Sequence, residues 1–111
     1  MDTIEKYRKI IQEVLTEYAK IPFSHGDFKS RTIFDLQSNH YLLMLIGWDD
    51  IRRVHGCLVH IDIINDKVWI QRDGTEQGIA TELLKAGIPK ESIVLGFRSL
   101  ELRRHTEFAV E

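Results

Sequence analysis

The chain has 111 residues, 43% of them apolar and 29% charged, with a formal net charge of -2 and a pI near 6.2. That is the size and composition of one globular domain, expected to span 1–111, with enough residues for one core. The slight acidic excess argues against a protein whose main affinity is for nucleic-acid phosphates, and a single cysteine, Cys57, excludes a disulfide framework.

Residues 2–20 carry Ile4, Tyr7, Ile11, Val14, Leu15 and Tyr18 at helical spacing, which predicts an amphipathic helix packed on a sheet. Asp2 suits its N-cap, with Glu5 three residues on. The start is charged and lacks the apolar core of a signal peptide, and the longest apolar run, 41–46, is too short to cross a bilayer. A cytoplasmic protein is expected. Pro22 breaks the helix, and 22–30 reads as a loop turning near His25-Gly26-Asp27, with His25 solvated.

A first strand is predicted over 31–37, a turn at Ser38-Asn39 and a second strand over 40–48. The second strand is apolar on both faces, Tyr41, Leu43 and Leu45 on one and Leu42, Met44, Ile46 and Trp48 on the other. Such a strand is normally covered on both sides, by helices or by another chain.

The stretch 54–73 predicts a hairpin about Asn65-Asp66, residue types that tolerate turn dihedrals. A two-residue turn there pairs Ile63 with Val68, Ile61 with Ile70 and Val59 with Arg72. The other face then pairs Asp62 with Trp69, His60 with Gln71 and Leu58 with Asp73. Cys57 falls on the aliphatic face, as a buried structural thiol. His60, Asp62, Trp69, Gln71 and Asp73 share the polar face, which is the candidate partner-binding surface, since an exposed aromatic among polar groups marks interfaces.

Thr75 suits the N-cap of a second helix over 76–86, ended by Gly87 and Pro89. The apolar run 93–97 predicts a buried fifth strand, Ser99 caps a short helix through His105, and Phe108 and Val110 let the last residues pack. The order α-β-β-β-β-α-β-α, with short turns between sequential strands, is an α+β domain with a mainly antiparallel five-stranded sheet.

No residue set reaches the level of a catalytic, cofactor or metal assignment. His60, Asp62, Gln71 and Asp73 form a hydrogen-bonded polar face, with a small metal-dependent nuclease using Asp62, Asp73 and His60 as the enzymatic alternative. No lysine accompanies the second acid, and Gly74 and Gly78 bracket TEQ without the lysine of a phosphate loop. Arg98, Arg103, Arg104 and His105 cluster near the C-terminus, diluted by Glu101 and Glu107, as a mixed-charge helix surface; direct DNA binding there is the alternative.

The runs NHYLLMLIGWDD, RVHGCLVHIDI, KVWIQRDGTEQGIATELLKAGIPKESIVLGF and RRHTEFAV together resemble the cyanobacterial XisI family, the fdxN element excision controlling factors. The likeness covers most of 33–110, with Arg98-Ser99-Leu100 departing from the histidine-proline pattern associated with the family. The resemblance implies a requirement in excising a DNA element during heterocyst development, beside a site-specific recombinase and a XisH-like protein partner. It supplies no catalytic residues. The expectation is a non-enzymatic controlling factor that binds a XisH-like protein, forms a possible homo-oligomer and contacts DNA indirectly or weakly. An antitoxin-like regulator of a XisH-like nuclease, unrelated to excision, is the second regulatory reading.

Overall fold

The computed structural model describes residues 2–23 and 26–111. His25, expected in a solvated loop, lies outside the described residues. The elements run α1 (Thr3–Ala19), β1 (Asp27–Asp35), β2 (His40–Asp49), β3 (Arg52–Ile64), β4 (Lys67–Asp73), α2 (Ile79–Ala86), β5 (Ile93–Leu95) and α3 (Leu100–Arg103). The strands form one five-stranded sheet in sequence order. The first three pairs are antiparallel, as short turns require, and β4 with β5 is parallel, joined by the crossover through α2.

Helix α1 begins where expected, with the Asp2 carboxylate accepting from the Ile4 N–H at 3.4 Å. It buries Tyr7, Ile10, Ile11 and Leu15. That stripe meets the inner face of the sheet, where Tyr41, Leu43, Val59, Ile61, Val68 and Ile70 are fully buried, and the Ile79 and Leu83 side of α2. Every fully buried aliphatic side chain there contributes on the order of 1.5–3 kcal/mol, so this inner layer dominates stability.

The central hairpin forms about Asn65 and Asp66, whose φ values of 51° and 65° are those of a type I′ turn. Near the turn the pairs are as expected: Ile63 with Val68, Asp62 with Trp69, Ile61 with Ile70. Beyond them the ladder slips. Gln71 is an extra residue, so His60 faces Arg72 and Val59 faces Asp73, not Gln71 and Arg72. A second bulge at Leu58 puts Val59 opposite Leu43 but Cys57 opposite Met44. Cys57 therefore lies on the outer face, half-buried, and not beside Val59 and Ile61 on the aliphatic side.

Other boundaries also differ. β1 starts at Asp27 and ends at Asp35, because the Asp35 carboxylate accepts from the Gln37 and Ser38 N–H groups at 3.1 Å and turns the chain there. Helix α2 starts at Ile79, not 76, and Thr75 is not its cap. The Asp73 carboxylate accepts from the Ile79 N–H at 2.8 Å and from the Thr75 N–H at 2.9 Å, so 74–78 loops back over it. β5 stops at Leu95, and α3 stops at Arg103. Among the described residues no helix is long and apolar enough to cross a membrane.

The outer face is covered only in part. At the β4–β5 end, the Arg103 guanidinium lies 5.3 Å from the centroid of Trp69, and the last residues run beside β5 through the Val94–Ala109 bridge. Over β1 to β3 the outer row of β2 is half-buried at Leu42, Met44 and Ile46 and exposed at Trp48 (45%), and Ile33 of β1 beside it is 51% exposed.

Candidate functional site

On the outer face a buried carboxylate is held between two histidines. His40 opens β2 directly after the turn at Asn39, whose φ is 59°. The register sets His40 opposite Asp62, so the two side chains leave the sheet on one face. His60 stands two residues before Asp62 on β3 and so shares that face. Trp69 flanks Asp62 on the other side, as its β4 partner. Neighbours on both strands leave Asp62 only 7% exposed, the buried acid of the sheet.

Asp62 Oδ1 lies 2.7 Å from His40 Nδ1 and 2.8 Å from His60 Nε2. An ionised carboxylate only accepts, so each of these ring nitrogens carries a proton and donates. The Gln71 amide donates to Asp62 Oδ2 at 3.3 Å. The bulge at Gln71 is what lets an amide without a facing partner on β3 reach this oxygen. The carboxylate is thus satisfied on both oxygens, as a buried acid must be.

The electrostatics follow from these contacts. Burial pushes the Asp62 carboxyl up, but the hydrogen bonds and charges of His40 and His60 together outweigh it and hold the acid below its ordinary value. The hydrogen bond to Asp62, and then its charge, hold the His40 imidazole above its ordinary value. Beside the cluster, Ile33, Asp35, His40, Leu42 and His60 line a shallow depression of about 370 Å³. The arrangement can take up a proton or a cation. The Cys57 thiol on the same face is a poor nucleophile: it bonds to the Val59 carbonyl at 3.2 Å, and burial raises its pKa.

Of the five candidate face residues, His60, Asp62, Trp69 and Gln71 lie together on the outer face. Asp73 does not join them, because the bulge at Gln71 returns it to the inner side, where it holds the start of α2. The nuclease set of Asp62, Asp73 and His60 is therefore not assembled. Trp69 is half-covered by Arg103 and is less open than expected. His40 was missed. Its signal was a histidine opening the strand that pairs with Asp62, legible only with the β2–β3 register in hand. The C-terminal cations are engaged: Arg98 over Phe97, Arg103 with the Arg98 and Val110 carbonyls, and Arg104 and His105 facing Glu101.

Two solved structures share this architecture over nearly its whole length. A XisI-like protein from Anabaena variabilis ATCC 29413 is 34% identical, with a TM-score of 0.87, and the match covers 99% of this chain and 100% of that one. The fdxN element excision controlling factor XisI from the same organism is 38% identical, with a TM-score of 0.84 and the same coverage. No curated protein matches the chain. The family model described as XisI protein matches residues 1–110, and the chain belongs to the XisI family.

Proposed function

We propose that this protein is a non-enzymatic controlling factor for excision of a DNA element, acting by binding a XisH-like protein through the open part of its outer sheet face. The excision role is supported by its likeness to a protein named as an excision controlling factor. The observation that carries the binding mode is the partly exposed apolar row of β2 beside the Asp62 cluster, with Trp48 at its end and Ile33 of β1 next to it about half exposed. A row of this kind in water is unfavourable unless something covers it, and aromatic residues ringed by polar ones anchor interfaces. Trp48, stacked under Arg53 at 5.2 Å, is such an anchor. The weakly acidic balance agrees with DNA contact through a partner.

The test is co-expression with a XisH-like protein from the same genome, with the complex sized by light scattering. A stable complex that Ile33→Asp weakens supports the proposal. Failure to form a complex, or a complex indifferent to Ile33→Asp and Trp48→Ala, overturns it. A homo-oligomer that Ile33→Asp dissociates would assign the same face to self-association instead.

A further inference from the structure

We propose that His40 Nδ1, His60 Nε2 and a carboxylate oxygen of Asp62 form a binding site for a divalent transition-metal ion of zinc-like character. The inference is independent of any protein partner. It rests on three ligand atoms from two adjacent strands that all lie within 4.8 Å of one another. Two imidazoles and one carboxylate are the donor set of borderline ions such as zinc, cobalt or iron(II), and a poor set for calcium or magnesium, which take oxygen.

Nothing needs to refold for the ion to enter. Ligands about 2.0–2.2 Å from a tetrahedral ion stand roughly 3.3 Å apart, so the pairs now at 2.7 and 2.8 Å open by about half an ångström while the two ring nitrogens, within 4.8 Å of each other, adjust toward that spacing. The exposed ring of His40 can swing that far. In a neutral imidazole the proton that leaves Nδ1 of His40 is matched by one taken up at Nε2, and likewise from Nε2 to Nδ1 of His60, so binding to neutral rings releases no net proton. Asp62 already carries its charge.

Two further features fit a metal site. The Gln71 amide on the second oxygen of Asp62 is the outer hydrogen bond that orients a ligating carboxylate. The depression lined by Ile33, Asp35, Leu42 and the two histidines opens beside the cluster, leaving room for water or an outside ligand on the ion. Three protein ligands with an open side is the pattern of an exchangeable site.

The test uses untagged, chelator-treated protein titrated with zinc chloride by calorimetry and with cobalt chloride by visible absorption. One ion per chain is expected, with a cobalt spectrum showing nitrogen ligation. His40→Gln and His60→Gln should each weaken binding at least about tenfold, and Gln71→Ala about tenfold. His55→Gln, an exposed histidine elsewhere on the same face, should leave it unchanged. Circular dichroism confirms that each variant folds; His40 is exposed and its replacement leaves the core intact. Absence of saturable binding by the native chain, or equal binding by the His40→Gln variant, overturns the proposal. In either case the cluster is a hydrogen-bonded network only.

Discussion

Asp73 ends β4 and fixes the first turn of α2 from outside the helix: its Oδ2 accepts the Ile79 N–H at 2.8 Å, while Oδ1 accepts from the Thr75 N–H at 2.9 Å and hydroxyl at 2.5 Å. An orphan helix donor is satisfied by an acid six residues away, across a loop with Gly78 at a φ of 89°. Asp73→Ala should lower stability by about 1–2 kcal/mol, as loss of a helix cap does. It should leave partner binding and metal affinity unchanged, since Asp73 lies on the inner side. Urea unfolding alongside the two binding assays checks this; a stable variant that fails to bind would return Asp73 to the site.

The two tryptophans should separate binding from folding. Trp48 is 45% exposed, so Trp48→Ala should cost under about 1 kcal/mol while weakening a face-bound complex. Trp69 is half-buried beneath Arg103, so Trp69→Ala should cost about 2 kcal/mol from lost burial and cation–π contact. Thermal unfolding of both variants gives the comparison. Equal losses of stability would mean that Trp48 is packed as Trp69 is.

The Asp62 cluster should make metal-free protein pH-sensitive in a defined window. His40 is raised above 6.5, so its stabilisation is complete below that value and fades as the pH rises through its elevated pKa. Asp62 is lowered below 3.8, so its stabilisation is complete above that value and fades as the pH falls through its depressed pKa. The stability gap between the native chain and His40→Gln should therefore be widest between these limits. Urea midpoints from about pH 3 to pH 9 measure the gap, and a gap independent of pH rejects the coupling.

Gly47 should not tolerate a side chain. It is buried in β2 opposite Phe28, and an added Cβ would collide with the Asp27 carbonyl oxygen and stand 2.7 Å from Phe28 Cα. Backbone cannot yield as a flexible side-chain tip can, so Gly47→Ala should cost about 2 kcal/mol or more and loosen β1. Hydrogen exchange localised to the β1 amides is the readout. Unchanged protection there would show that β1 shifts freely to make room.

What the sequence revealed was what local chemistry fixes. Asn65-Asp66 announced the hairpin and the helical spacing of Ile4 to Tyr18 announced α1; the apolar second strand called for cover on both faces, and the described residues cover the outer one only in part. What stayed hidden depended on ladder slips that no residue type marks. The bulge at Leu58 moved Cys57 to the outer face, and the bulge at Gln71 moved Asp73 to the inner one. His40 and Asp62 are 22 positions apart, and only the β2–β3 register joins them. Helix α2 starts later than Thr75 suggests, because Gly78 is its N-cap residue and the carboxylate that accepts the Ile79 N–H comes from Asp73, further back.

The bridge between Val94 and Ala109, with the Ala109 N–H donating to the Ile93 carbonyl at 2.9 Å, occupies the far side of β5. Among the described residues β1 has no strand on its outer side, whereas β5 is bordered by this one bridge. Strand-to-strand growth needs two free rims on every copy. Two copies joined at β1 would therefore pair through a nine-residue strand and turn outward only the three-residue β5 with its single bridge.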